Sequence, residues 1–282
     1  YQLPPRMIIN YIFTHFSFSR RNLLLLSVFF NFCAYSFAQE NFEFSIPDSL
    51  QNKSFEELRT GFFSHRKDSL ISLAYAKAFY TKAVQNKDSL QITRGYELLG
   101  FAHMKDYLKS FTYYDKAIEV SKNLGDNHYP AILYTYKGVV YSGDGKYEKG
   151  LENHLKAIEY AEKNYNEVLI YANKHNIGIL KMHLELYDEA LQIFKECYLH
   201  ELNDPNRNLY DFSFSHYSLA DIYVKKNLLD SAKKYNKKGY ELALEIPHRD
   251  YFKYYFVANE GIIDFYDKNY EKSIQKIRIS ID

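Results

Sequence analysis

The stretch N-I-G-I-L-K-M-H-L-E-L-Y-D-E-A-L-Q-I-F-K-E-C, residues 176–197, holds two amphipathic runs joined by a short polar break. Gly178 lies nine residues before Tyr187, and Ala190, Phe194 and Cys197 then follow Tyr187 at spacings of three, four and three. Such spacings place all four side chains on one face of a helix. The small residue in the first run marks a place where two helix backbones come close. The stretch therefore reads as one antiparallel pair of helices.

The same pattern extends in both directions. Tyr107, Tyr147 and Tyr187 are forty residues apart, and they open Y-L-K-S-F-T-Y-Y-D-K-A-I-E, Y-E-K-G-L-E-N-H-L-K-A-I-E and Y-D-E-A-L-Q-I-F-K-E-C-Y-L. The column of the second helix reads Tyr107, Ser110, Tyr114, Ala117, then Tyr147, Gly150, His154, Ala157. It continues as Leu229, Ala232, Asn236, Gly239 and as Tyr270, Ser273, Ile277, Ser280, and it appears earlier as Leu73, Ala76, Tyr80, Ala83. Gly100, Gly138, Gly178, Ala220 and Gly261 supply the small residue of the preceding helix. Self-similarity at such a period is the mark of a solenoid.

Ser142-Gly143-Asp144-Gly145-Lys146 offers a competing reading, because glycines beside a lysine can cradle a phosphate. A phosphate loop needs Gly-Lys-Ser/Thr after a buried strand. Here Tyr147 follows Lys146, Val140 stands where the motif's first glycine belongs, and no strand-like run precedes it. The glycines instead break one helix and start the next.

In combination these residues resemble the tetratricopeptide repeat (TPR) family, with 176–197 as the best-matching segment and residues 54 to 282 covered. Tyr96 and Tyr134 keep the family's aromatic near the start of the first helix, while Lys174 and His216 replace it. The period is 38 to 42 residues instead of 34. Pro205 and Pro247 fall eight residues beyond the last small residue, where the family has five. This is similar to the long-repeat branch of kinesin light chains and of bacterial regulators whose arrays sense partners. The resemblance implies an all-α, TPR-like right-handed superhelical solenoid of antiparallel helix pairs, about six in number, the last incomplete.

It also implies a concave wall of first helices that binds a protein or peptide. The family's groove columns fall on Glu97, Phe101, Met104, Thr135, Val139, His175, Ile179, Met182, Tyr217, Asp221, Val224, Ala258, Ile262 and Phe265. Apolar residues at helical spacing equally serve as packing. The lysine and asparagine set with which chaperone-binding members grip a terminal carboxylate is matched only at Asn176.

Composition excludes several other classes. The 282 residues are 25% charged and 46% apolar with a formal charge of +1, which gives no clustered basic surface for nucleic acid. Two cysteines, Cys33 and Cys197, provide neither a disulfide framework nor a zinc set. Tyrosine occurs 29 times and suggests helix contacts in which the ring is buried and its hydroxyl stays near water. Leu23 to Ala38 is apolar, follows Arg20-Arg21 and ends in Ser36 and Ala38, which fits a signal peptide cut after Ala38. The expected organisation is a leader at 1–38, a linker at 39–53 and the solenoid at 54–282.

Catalytic chemistry finds no support. His200-Glu201 begins like H-E-x-x-H but lacks the second histidine, so no two-ligand face for zinc is formed. His154 belongs to a packing column, and His175 and His183, eight residues apart, read as a solvated groove wall and not as a metal pair. Ser54-x-x-Glu57 reads as a capping box. The expectation is a non-enzymatic binding module without cofactor or metal, exported to the periplasm or anchored facing it. Contact with a membrane comes only through the leader or a missing C-terminal segment. The leader joined to long repeats resembles the sensor part of a longer membrane-anchored transcriptional regulator. A free periplasmic scaffold or assembly factor is the alternative, and a carbohydrate-capturing surface protein is disfavoured because Phe32 precedes Cys33 where a lipoprotein signal needs a small residue.

Overall fold

The computed structural model describes residues 44–125, 127–247 and 249–281. The chain divides into Tyr1–Ser45 and Ile46–Asp282, and the second unit carries every element described below. The leader expected at 1–38 lies outside the described residues. Part of the expected linker is helical: α1 (Asp48–Gln51) buries Leu50, and Lys82 Nζ donates to the Lys53 carbonyl at 2.8 Å.

Twelve further helices follow as six consecutive pairs: α2 (Phe55–Ser64) with α3 (Ser69–Gln85), α4 (Ser89–Ala102) with α5 (Tyr107–Lys122), and α6 (His128–Gly143) with α7 (Tyr147–Lys163). The second half comprises α8 (Glu167–His183) with α9 (Tyr187–Asn203), α10 (Leu209–Lys225) with α11 (Leu229–Leu244), and α12 (Lys253–Tyr266) with α13 (Tyr270–Ile281). A 3-10 turn, Asp250–Phe252, leads into α12. Among the described residues there is no strand, and no helix is long and apolar enough to cross a membrane.

Side-chain caps start most of the first helices. Ser54 and Glu57 form the expected capping box on α2, and Asp88, Asn166 and Asn208 accept backbone N–H groups at α4, α8 and α10. Second helices α7, α9 and α11 begin without one, at Lys146, Leu186 and Leu228. The preceding turn explains the difference. Gly145, Glu185, Asn227 and Lys268 occupy equivalent positions with φ of 72°, 60°, 57° and 64°. In each turn the next N–H reaches back five residues, as in Lys146 N–H to the Tyr141 carbonyl at 2.9 Å and Leu186 N–H to Lys181 at 2.8 Å. A left-handed residue that closes such a bond ends a helix and aims the chain back along it. Only Gly145 carries the glycine that announces this turn in the sequence, which makes the 142–146 segment one member of a repeated turn.

Within a pair, the small residue of the first helix faces the large residue of the second. A Cβ on Gly178 would lie 2.6 Å from the Phe194 ring, and one on Gly138 would lie 2.6 Å from His154. Gly100 meets Tyr114 and Gly261 meets Ile277 in the same way. The first pair departs from the expected register. Gly61 faces Tyr75, whereas Tyr80 packs with its backbone against Gly95 of the next pair. The Leu73, Ala76, Tyr80, Ala83 column therefore turns toward the second pair, although Ala76, Tyr80 and Ala83 are fully buried.

Packing continues from pair to pair. Ala190 and Phe194 of α9, Leu219, Ile222 and Val224 of α10, Ala232 of α11 and Ile263 of α12 form one apolar cluster. Many tyrosine hydroxyls are inside as well, against the expectation that they stay near water. Tyr80 and Tyr96 hydrogen-bond each other at 2.9 Å in the interior, and Tyr114 is fully buried.

Candidate partner-binding wall

First helices meet first helices across the pair boundaries α6–α8 and α10–α12. Their outward side forms a wall, and the structure sorts the sequence-derived wall residues into three groups. Met104, Val139, Ile262 and Phe265 are exposed. Glu97, Phe101, Thr135, Ile179, Met182, Tyr217, Asp221 and Ala258 are half-buried. His175 and Val224 are buried, and they support the wall from behind.

At the N-terminal end α2, α4 and α6 enclose a cavity of about 550 Å3 lined by Arg59, Gln91, Arg94, Glu97 and Tyr136 among others. Burial pushes the Glu97 carboxyl above its usual range, opposed by a hydrogen bond that Tyr136 Oη donates at 3.3 Å and by the charges of Arg59 and Arg94. Arg94 Nε donates to Tyr129 Oη at 2.8 Å. Phe101 lies against Tyr136 with ring centroids 4.5 Å apart. Arg59, Gln91 and Arg94 escaped the sequence reading, which began the wall at Glu97 and left α2 out of it.

In the middle, Thr135 is committed to the scaffold. Its Oγ1 bonds with the Asn173 side chain at 3.1 Å, and Asn173 Oδ1 also accepts from His154 Nδ1 at 2.7 Å. The network joins α6, α7 and α8 and leaves the His154 proton on Nδ1, with burial holding that imidazole below its usual pKa. Satisfied buried networks of this kind fix how neighbouring elements sit.

His175 and His183 do not form the shared solvated face read from the sequence. His175 is buried between Phe194 and Phe214, with ring centroids 5.2 and 4.8 Å away, and its Nε2 meets Ser218 Oγ at 2.9 Å. Burial pulls its pKa down to about 4. His183 is exposed and stacks on Tyr147 at 5.0 Å. Because α8 packs on both α9 and α10 at His175, a rotation of only about 80° around the helix separates this core position from the surface one.

Farther along, Tyr217 stacks on Phe214 at 5.9 Å and sits edge-on to Tyr255 and Phe256. Burial pushes its hydroxyl up to about 12. Asp221 is likewise raised by burial, with Lys225 and His183 acting against the shift. A second cavity, of about 460 Å3, opens between α8 and α10 beside the α9–α10 connection. Cys197 nearby is buried, and desolvation lifts its thiol to about 12, so the thiolate that reactive chemistry requires is unavailable at neutral pH. Among the described residues no group of three or more His, Cys, Asp or Glu side chains could hold a metal ion.

Six stacked helix pairs, in five of which a first-helix glycine faces a large side chain of the second helix, define a TPR-like solenoid. Residues 93–167 match the tetratricopeptide repeat model, and solved structures with the same fold extend the likeness over most of the chain. BtubC (BKLC) from P. vanneervenii aligns over 81% of this chain and 90% of its own, with 13% identity and a TM-score of 0.61. A STAND protein with a tetratricopeptide repeat sensor from Pyrococcus horikoshii gives a TM-score of 0.62 at 16% identity over 81% of this chain, which spans only 37% of that protein. The Rap conjugation gene regulator of plasmid pLS20, in complex with the Phr* peptide, aligns over 97% of this chain and 77% of its own at 17% identity and a TM-score of 0.53. No curated protein sequence matches the chain. The chain is thus similar to tetratricopeptide repeat proteins in fold, and over residues 93–167 in sequence as well.

Proposed function

We propose that this chain is a non-enzymatic protein- or peptide-binding module, and that it forms the exported, periplasmic sensor part of a longer membrane-anchored transcriptional regulator. One observation carries the binding reading: the wall of first helices leaves Met104, Val139, Ile262 and Phe265 exposed, while Ile179 and Met182 are half-buried against the core cluster, and two cavities open along the same helices. Apolar side chains beside pockets with a few polar groups suit an extended or helical segment, the apolar contacts giving affinity and the polar ones register. The sensor reading draws support from two structural neighbours, one described as carrying a tetratricopeptide repeat sensor and one as a gene regulator in complex with a peptide. Export draws on Arg20-Arg21 and the apolar run Leu23 to Ala38.

The test replaces Met182 and Tyr217 by alanine and measures capture of partners from the host envelope. Each change is expected to weaken capture by about 1 to 2 kcal/mol with helicity intact. Equal capture by the wild type and the double variant would remove the wall as the binding surface. N-terminal sequencing of the protein from its native host checks export separately, with Gln39 expected first. An intact leader on a cytoplasmic protein refutes the periplasmic assignment without touching the wall.

A further inference from the structure

The cavity at the N-terminal end of the wall contains cations that have no anion. Arg59 of α2 and Arg94 of α4 both line it. Four other half-buried bases each meet a carboxylate: Lys137 pairs with Asp115 at 2.5 Å and Lys181 with Glu189 at 2.5 Å, and Lys174 and Lys226 pair with Glu196 and Asp188. Arg94 is half-buried too, yet it forms no ion pair among the described residues. Its Nε donates to Tyr129 Oη at 2.8 Å, which leaves the terminal nitrogens of the fork without a partner there. Those nitrogens are not sealed from solvent. Arg59 is exposed, lies 5.6 Å from the centre of the Phe63 ring, and forms no ion pair among the described residues either.

Two more features of the lining favour an anion. Tyr129 Oη accepts from Arg94, so its own proton is uncommitted among the described residues. The first residues of α6, His128 and Tyr129, line the cavity, and α6 starts without a side-chain cap at Asn127, whereas Asp88 caps α4. The N-terminus of a helix carries partial positive charge. The carboxyls already present do not supply the missing anion. Glu56 is exposed and accepts from Thr60 Oγ1 at 3.4 Å. Glu97 accepts a hydrogen bond from Tyr136 of α6, and the two arginines reach it through their charge alone.

We infer that this cavity binds a carboxylate group, held between the Arg59 and Arg94 guanidiniums with the Tyr129 hydroxyl as a third donor. A guanidinium fork matches the two oxygens of a carboxylate, and such charge-assisted hydrogen bonds are about twice as strong as neutral ones. Glu56 and Glu97 in the lining oppose a dianion such as phosphate. The volume of about 550 Å3 is that of a small-ligand site and leaves Phe55 and Ile132 for an apolar stem. The assignment deepens the reading of the wall as a partner surface, and rests on it for the partner, by naming a group that the partner presents. An acidic side chain of a protein and a free carboxylic acid share this chemistry. Either one competes with Glu97 for the charge of the same two arginines.

The two sources are separated by titrating the full chain at low ionic strength, followed by NMR, with butyrate, with the peptide acetyl-Ala-Ala-Glu-Ala-Ala-amide, and with its glutamine counterpart. Binding of at least one carboxylate and no binding of the glutamine peptide is expected. Capture of the glutamate peptide assigns the site to a protein partner, and capture of butyrate alone assigns it to a free acid. Arg94→Gln, checked for helicity by circular dichroism, is expected to lose about tenfold in affinity. The exposed Arg59→Gln gives a similar loss should Arg94→Gln not fold, whereas Arg207→Gln, outside this cavity, retains the affinity. Glu97→Gln removes the competing carboxyl and is expected to gain affinity. Absence of carboxylate binding, equal binding of the glutamine peptide, or unchanged affinity in the folded arginine variants overturns the assignment. So does a folded Glu97→Gln variant whose affinity fails to rise. The Met182 and Tyr217 variants leave carboxylate affinity unchanged, so a failure of the wider wall is read separately from a failure of this site.

Discussion

Acidification is expected to loosen the joint between the fourth and fifth helix pairs through His175. The perturbation is a change from pH 7.5 to pH 5, compared between the wild type and His175→Gln. In the folded chain burial pulls the imidazole pKa from 6.5 to about 4, so the native state resists the proton that the unfolded chain accepts. The stability associated with this neutral imidazole is therefore fully present above pH 6.5 and is lost as the pH falls toward 4. At pH 5 the unfolded state gains about 1.5 units of proton affinity over the native state, or about 2 kcal/mol. His154 and His216 are also held below their usual values by burial, and they act in the same direction in both proteins. The difference between the two proteins isolates His175. Glutamine retains a group able to bond Ser218 Oγ but does not titrate, so the variant is expected to start less stable at pH 7.5 and to lose about 2 kcal/mol less on acidification. Urea unfolding followed by ellipticity at both pH values measures the difference. Pairs of curves that shift equally with pH, to within about 0.5 kcal/mol, would refute the account of His175 as a buried neutral histidine.

The small-to-large contact within a pair is tested by Gly178→Ala. Its Cβ would stand 2.6 Å from the fully buried Phe194 ring, which should cost about 1 to 3 kcal/mol in urea unfolding. Gly143→Ala, where an added Cβ meets nothing within 4 Å, serves as the counterpart and is expected to stabilise by about 0.4 to 1 kcal/mol. The repeated turn is tested by Asn227→Gly, at φ 57°, which should leave stability unchanged or raise it by up to about 1 kcal/mol, whereas Gly145→Ala, at φ 72°, should lower it by about 1 to 2 kcal/mol.

The sequence by itself determined the helix pair and its repetition. The contacts that define a pair lie sixteen residues apart, as in Gly138 with His154 and Gly178 with Phe194, and they recur every forty residues or so. A short turn of fixed length forces two neighbouring helices into one antiparallel arrangement, so the spacing of small and large side chains is enough to record it. The capping box at Ser54 and Glu57 is legible for the same reason, since both partners lie within one helical turn. Tertiary structure alone decided which of the wall residues remain outside. His175 reaches Ser218 forty-three residues away, and Val224 joins a cluster drawn from four helices, so their burial depends on the rotation between successive pairs. That rotation is set by the summed packing of whole helices and leaves no local spacing to read. The left-handed turn residues Glu185 and Lys268 were hidden because the closing of the pair imposes their conformation on side chains that do not favour it, while Asn227 is of a type that adopts it more readily. Glu201 shows the same division most sharply: its identity is plain in the sequence, yet its proton affinity, pushed up to about 7 by burial, arises from the walls that α8, α9 and α10 build around it.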